Sequence, residues 1–430
     1  MNFYSLNQKA ANVSFKDAVI KGIAPDRGLY FPEKITPLAK DFFDKIERLS
    51  NIEIAFMAIR QFVQEDIDDE KLKEILTEVL DFDFPLVPIT DHIATLELFH
   101  GPTLAFKDVG ARFIARCLGH FSEDNTSEIT VLVATSGDTG GAVANGFLGV
   151  KGVQVVILYP SGKVSDIQEK QLTTLGKNII ALEVTGTFDD CQKMVKTAFL
   201  DEEITKHKQL TSANSINVAR WLPQLFYFLF AYKEIKSKGK EIVFSIPSGN
   251  FGNICAGMVA QQLGMPVKHF IAATNVNDVV SRFMQTDVYE PQPSVATISN
   301  AMDVGDPSNF VRIRHIYNND IKTLSEYLSS YSFTDEQTKD AMLELYNEYN
   351  YIADPHGAIG YLGLKKYQGQ NSNTYGIFLE TAHPVKFLDI VEDTIKENIE
   401  IPEKIFKQMK KKKKSIKISS YDELKEFLLQ

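Results

Sequence analysis

The chain has 430 residues, 44% hydrophobic and 24% charged, with 25 glycines and 16 prolines. This is an ordinary globular composition with room for more than one domain, and it excludes collagen-like, disulfide-scaffold and wholly disordered readings. The formal net charge of -10 argues against a nucleic-acid or anionic-membrane partner, yet permits one basic pocket inside an acidic protein.

In chain order, Met1 to Lys9 has no basic region followed by an apolar stretch, so no secretory signal is read there. Over residues 65–80, Ile67, Leu72, Ile75, Leu76, Val79 and Leu80 recur at helical spacing among Asp, Glu and Lys, which predicts an amphipathic helix. From residue 129 the texture changes. Apolar, β-rich runs at 129–133, 153–158, 179–184, 242–246, 269–273 and 375–379 alternate with helical stretches. That pattern implies buried parallel sheets in an α/β architecture, arranged as two packed units with a cleft between them. The densest apolar run, Leu225 to Tyr232, is far short of the ~18 residues a membrane span needs. Cys117, Cys191 and Cys255 are too few and too irregular for a disulfide frame or a Cys-rich zinc site, so a cytoplasmic, reducing location is expected. Five lysines in a row, Lys410 to Lys414, read as a solvated linker or helix end rather than a basic binding patch.

No P-loop, G-x-G-x-x-G, nucleophile elbow or H-E-x-x-H spacing occurs in the sequence, which removes the commonest nucleotide, hydrolase and zinc motifs. Four features remain. Lys107 lies in Phe-Lys-Asp-Val-Gly-Ala, where Thr103 is placed to cap a helix from Leu104. On a helical wheel Asp108, Arg112 and Arg116 share one face at ion-pairing spacing. Lys107 falls instead among Gly110, Ala111, Ile114 and Leu118. It is either a snorkelling lysine or a desolvated amine of lowered pKa, as Schiff-base chemistry requires, with the small residues leaving room for a flat ring. Residues 134–140, Ala-Thr-Ser-Gly-Asp-Thr-Gly, follow a strand and open a helix. They form either a plain turn or an anion site built from backbone N–H groups and the hydroxyls of Ser136 and Thr139. Residues 247–253, Pro-Ser-Gly-Asn-Phe-Gly-Asn, repeat that logic, with Gly249 and Gly252 allowing close backbone approach to a phosphate. Thr381 and His383 stand just beyond a buried strand.

Taken with Ser212 to Asn217, Ala272 to Asn277, Ser299 to Asp303 and Thr381 to Phe387, these stretches in this order resemble the threonine synthase family. Its members are pyridoxal-phosphate enzymes of the tryptophan-synthase-β, or type II, fold. The resemblance runs to about residue 390 and leaves the lysine-rich tail outside it. It implies a two-lobed α/β body with parallel-type sheets flanked by helices, plus an N-terminal, mainly helical extra domain. The implied division is 1–90 for the extra domain, 91–124 with 226–395 for the large cofactor domain, 125–225 for a small mobile domain and 396–430 for a C-terminal Lys-rich segment.

The resemblance also assigns roles. Lys107 matches the lysine that carries pyridoxal 5'-phosphate as a Schiff base. Gly249, Asn250, Phe251, Gly252 and Asn253 match the cradle for the cofactor phosphate, and Thr381 the hydroxyl facing the pyridine nitrogen. Ser136, Gly137, Asp138 and Thr139 match the loop near the substrate carboxylate and the cofactor's 3-hydroxyl. Asn214, Ser215 and Arg220 match the substrate-phosphate site. Asp138 departs from the Asn found in much of the wider fold, so it must either accept a hydrogen bond or stay protonated. The implied reaction converts O-phospho-L-homoserine and water to L-threonine and phosphate by γ-elimination and β-addition, with no metal, nucleic acid or membrane, in a monomer or homodimer. The competing readings are a phospho-lyase or dehydratase on the same fold, and a catalytically dead binding paralogue.

Overall fold

The computed structural model describes residues 1–123 and 128–430, so the expected boundary at 124/125 lies outside the described residues. Thirteen strands occur among them. They are β1 (Phe3–Ser5), β2 (Tyr30–Pro32), β3 (Leu86–Pro88), β4 (Ile93–Glu97), β5 (Ile129–Ala134), β6 (Val153–Pro160), β7 (Ile179–Val184), β8 (Gln209–Thr211), β9 (Glu241–Pro247), β10 (His269–Thr274), β11 (Leu328–Ser332), β12 (Thr374–Glu380) and β13 (Ile416–Ile418). The six apolar runs read from the sequence are β5, β6, β7, β9, β10 and β12.

They separate into two sheets. The six-stranded sheet runs β11-β10-β9-β12-β4-β3 and the five-stranded sheet β13-β7-β6-β5-β8. Every pairing in both is parallel except β3 against β4. Every residue of β5, β10 and β12 is buried. Parallel strands covered by helices on both faces carry continuous apolar runs, not alternating ones. In a parallel sheet all strand carboxyl ends open on one side, so the loops after β5, β9 and β12 can converge there.

The apolar run Leu225 to Tyr232 lies in the helix Leu225–Ile235, buried on every side except at Lys233 and Glu234. A helix apolar all round belongs inside a large core, here between the N-terminal helices and the helix Gly252–Gln262, against Phe84, Phe43 and Phe244. No helix among the described residues is long and apolar enough to cross a membrane.

The N-terminal region joins β1 and β2 in an antiparallel ribbon and packs the helices Phe15–Lys21, Asn51–Val63 and Asp69–Val79. The helix expected over 65–80 starts later, because Asp68 accepts from Lys71 N and caps it, while Ile67 is buried ahead of the cap. At the other end, β13 extends the five-stranded sheet with Ile416 opposite Leu182. In the lysine run, Lys410, Lys411, Lys412 and Lys414 are exposed as a solvated stretch should be. Lys413 differs: its Nζ contacts Glu169 at 2.5 Å and Glu183 at 2.8 Å on the five-stranded unit.

Candidate active site

Lys107 opens the helix Lys107–Ser122, and this start is not capped by Thr103 as the sequence suggested. Leu104 takes a left-handed φ of 59°, and the helix begins three residues later. Thr103 N and Oγ1 instead donate to the buried Asp108 carboxylate at 2.8 and 2.6 Å. The turn is stitched to the exit of β12, because Phe106 N donates to Thr381 O at 2.9 Å and His383 N to Leu104 O at 3.1 Å. The first and fourth sequence features are therefore one structure. The expected ion-pair ladder along this helix is also absent. Arg112 pairs with Asp81 at 2.6 Å and Arg116 with Glu78, on the preceding helix and its exit, while Asp108 faces inward.

The Lys107 side chain is 15% exposed and faces the cleft between the two sheets. Burial lowers its pKa, and the cations Lys386 and Arg220 push the same way, whereas Asp138 opposes them. An amine in this setting is easily deprotonated, as a nucleophile or base must be.

The loop after β5 is held by Thr135, whose Oγ1 accepts from Gly137 N at 2.9 Å and Gly140 N at 2.8 Å. Gly137 adopts φ 134°, where a Cβ would lie 2.4 Å from Gln168. This conformation presents Asp138 at the first position of the helix Asp138–Gly146. Asp138 Oδ2 lies 3.7 Å from Lys107 Nζ, and Oδ1 lies 2.7 Å from Lys386 Nζ and 3.0 Å from Gln168 Nε2. Burial pushes this carboxyl up, but the two ammonium groups and the Gln168 amide outweigh it and hold it well below the usual carboxylate range. This setting favours the ionised form of Asp138, which accepts hydrogen bonds and cannot donate them.

The loop after β9 puts Phe251 in the left-handed region at φ 61°, just before the helix Gly252–Gln262. A Cβ on Gly249 would stand 2.8 Å from Ala301 O, so glycine is what lets the 300–303 turn close over the loop. Asn253 Nδ2 donates to Pro247 O at 2.9 Å, fixing the first turn of the helix. First-turn N–H groups lack intrahelical acceptors and form an anion site at the positive end of the helix dipole.

Arg220 is 3% exposed and its Nε donates to Ala213 O at 3.1 Å, while its buried Nη1 has no partner. Burial lowers its pKa to about 10, leaving a cation at neutral pH with an unmet donor. A Cβ on Gly110 would fall 2.2 Å from Arg220 O and 2.4 Å from Nη1. Gly110 therefore makes room for this guanidinium and not, as its wheel position suggested, for a flat ring. Asn214 Nδ2 donates to Ala134 O at 3.1 Å, and Ser215 Oγ accepts from Asn309 Nδ2 at 3.0 Å.

One cleft is lined by Lys107, Ser136, Asp138, Thr139, Asn214, Ser215, Arg220, Gly249, Asn250, Phe251, Gly252, Asn253 and Thr381. Gly137 alone of the expected residues is not part of its lining. Sequence reasoning missed Lys386 and Gln168, which hold Asp138, and His356, which accepts from Ala301 N at 3.3 Å. Lys386 lies in the Thr381 to Phe387 stretch, but a lysine two residues past a proline gives no sign that it will be wholly buried.

The cleft suits a phosphorylated pyridoxal. It offers a depressed-pKa amine, a helix start relieved of Cβ atoms for one phosphate, a neutral hydroxyl at Thr381, and the orphaned Arg220 Nη1 for a second anion.

Residues 90–377 match the family model of pyridoxal-phosphate dependent enzymes, residues 2–79 that of the threonine synthase N terminus and residues 357–428 that of the threonine synthase C-terminal region. The last match brings the lysine-rich tail inside the family pattern, contrary to the sequence expectation. Threonine synthase of Escherichia coli (strain K12) is 42% identical over 406 residues, covering 94% of either chain. That of Buchnera aphidicola subsp. Baizongia pistaciae is 41% identical over 433 residues and the whole of both. The crystal structure of threonine synthase from Escherichia coli superposes with a TM-score of 0.94 at 40% identity, covering 100% of this chain and 99% of that one. The PLP-bound threonine synthase from Brucella melitensis gives 0.93 at 31% identity, covering 100% and 98%. Maize serine racemase, at 15% identity and a TM-score of 0.55 over 74% of this chain and 94% of that one, shares the fold alone.

Proposed function

Because the chain belongs to the threonine synthase family of pyridoxal-phosphate-dependent enzymes, we infer that it converts O-phospho-L-homoserine and water to L-threonine and inorganic phosphate. The observation that carries this reading is the joint presence in one cleft of the desolvated Lys107 amine, the Gly249–Asn253 helix start and the unpartnered Arg220 guanidinium. A dehydratase acting on a free amino acid has no need of that second anion site. We assign the enzyme to the cytoplasm, on its scarce and buried cysteines.

Lys107, Gly249 to Asn253 and Thr381 would hold the cofactor, which supplies an electron sink for charge developing on the substrate's carbon atoms. Lys107 Nζ takes the proton from Cα and returns it, and its lowered pKa favours the free amine that this task needs. Removal of a Cβ proton then accompanies departure of phosphate from Cγ, and that proton is returned at Cγ to make the methyl group. Water adds as hydroxide at Cβ, its other proton passing to the released phosphate, to complete threonine. Arg220, Asn214 and Ser215 bind the ester phosphate and stabilise it as it leaves. Guanidinium suits this task, since its fork of donors matches phosphate oxygens. The ionised Asp138 lies 3.7 Å from Lys107 Nζ and steadies the ammonium each time the amine is protonated. Ser136 and Thr139 offer hydroxyl donors to the substrate carboxylate at the start of the helix Asp138–Gly146. A packed cleft between two sheets also keeps stray water from the unsaturated intermediate.

Product analysis with O-phospho-L-homoserine tests the reading. Threonine and phosphate in equal amounts are expected, and 2-oxobutyrate would indicate a lyase or dehydratase instead. Lys107→Ala should abolish turnover while inorganic phosphate still binds; a Lys107→Ala enzyme with normal turnover would refute the assignment.

A further inference from the structure

Residues 211–217, which carry Asn214 and Ser215, rest on the N-terminal region as well as on the five-stranded sheet. The carbonyl of Val19 accepts from Thr211 Oγ1 at 2.9 Å and from Asn217 Nδ2 at 2.8 Å. Asn217 Nδ2 also holds Ser212 O at 3.0 Å. Gly22, at φ 71°, passes so close that a Cβ there would lie 3.2 Å from Ser212 N.

The unusual residue in this contact is Arg312. It is 0% exposed, and every acceptor its guanidinium meets is neutral. Nε and Nη2 donate to Tyr30 O at 3.3 and 3.1 Å. Nη2 reaches Ile216 O at 2.7 Å, and Nη1 reaches Ser215 O at 3.0 Å and Asn309 Oδ1. The plane lies over Trp221 with its carbon 4.9 Å from the ring centre. Asn309 extends the contact: Nδ2 donates to Ser215 Oγ at 3.0 Å and its backbone N to Asn250 O at 3.2 Å. Arg312 and Asn309 therefore tie β2 of the N-terminal region, the Ser215 turn and the Gly249–Asn253 loop at one point. A buried cation without a counter-ion is costly, and burial pushes the pKa of Arg312 down to about 9. An anion bound beside Ser215 would supply the missing charge.

We propose that Arg312 and Asn309 are positioning residues for the substrate phosphate: they fix the Ser215 turn and add positive potential behind it, which makes the N-terminal region a working part of the substrate site. This rests on the reading that Asn214, Ser215 and Arg220 hold the ester phosphate.

The test uses the full-length holoenzyme, with inorganic phosphate as the probe because the cofactor already fills its own phosphate cradle. Arg312→Lys and Asn309→Ala should each weaken phosphate binding and raise KM for O-phospho-L-homoserine by about tenfold, the scale of a lost hydrogen bond to a charged group. In both, kcat should stay within about threefold of wild type and the cofactor absorbance should be unchanged, whereas general damage would lower both together. Arg220→Gln serves as the reference. If it weakens phosphate binding while Arg312→Lys and Asn309→Ala do not, the proposal is overturned and the site reading stands. If Arg220→Gln also leaves phosphate binding unchanged, the site reading itself has failed. Should Arg312→Lys not fold, Asn309→Ala alone decides by the same KM and kcat criterion.

Discussion

Replacing Lys386 by methionine removes the nearer of the two cations on Asp138. The Lys386 Nζ is wholly buried, 2.7 Å from Asp138 Oδ1 and 3.0 Å from Thr103 O, whereas Lys107 Nζ stands 3.7 Å from Oδ2. At an effective dielectric near 20, Coulomb's law gives gross attractions of roughly 6 kcal/mol at the shorter distance and about 4.5 kcal/mol at the longer. Desolvation offsets much of both, and removing one partner of a buried pair costs about 3–5 kcal/mol in practice. Gln168 and Lys107 remain on Asp138, so Lys386→Met should lose about 3 kcal/mol of stability by urea denaturation. The effect has a pH signature. The Asp138 carboxyl is held below its ordinary value, so its contribution is present above about pH 4 and is lost as pH falls. In the variant only the folded-state pKa rises, so that loss should be smaller and be complete at a higher pH. A second consequence reaches catalysis. Lys386 is one of the charges that lower the pKa of Lys107, and without it Asp138 faces Lys107 alone, so that pKa rises. A base must be deprotonated to act, so the rising acidic limb of the kcat–pH profile, which reports the substrate complex, should move to higher pH. A destabilisation below about 1 kcal/mol together with an unmoved limb would refute this account of Asp138.

Two further predictions follow from close contacts. Gly110→Ala would place a methyl group 2.2 Å from Arg220 O and 2.4 Å from its Nη1. It should cost about 1–3 kcal/mol as overpacking and weaken inorganic phosphate binding, and wild-type phosphate affinity in this variant would contradict the role given to Gly110. Lys413→Met removes a cation 2.8 Å from the buried Glu183. Burial pushes Glu183 up, but Lys413, Ser161 and Ser415 together bring it down to about 2. Its stabilising contribution is therefore complete above about pH 4.5 and fades toward pH 2. The wild type should exceed the variant in thermal stability at neutral pH by a margin that closes over that window, and a constant margin would show that Glu183 is not the partner that matters.

Much of the fold is legible in the sequence because its causes are local. The continuous apolar runs of β5, β10 and β12, and the glycine-rich turns after β5 and β9, declare buried parallel strands with anion-binding helix starts within a dozen residues each. Most residues of the candidate site lie in those two turns, while Lys107, Asn214, Ser215, Arg220 and Thr381 come from segments after β4, β8 and β12 and meet them at one cleft. What the sequence could not decide is which charges meet. Asp108, Arg112 and Arg116 share a helix face at ideal spacing, yet Asp81 and Glu78 take the arginines and Thr103 takes the aspartate. Gly110 reads as space for a ligand and is space for Arg220. One lysine of an evenly charged run is anchored while the other four are solvated. Periodicity and turn chemistry act through neighbours along the chain, so the sequence by itself determines strands, turns and helix starts. Ionic partners and pKa values depend on distance through a low-dielectric interior. Only the tertiary structure brings Lys386, at the exit of β12, to Asp138 beyond β5, and so lowers the pKa of that buried carboxyl.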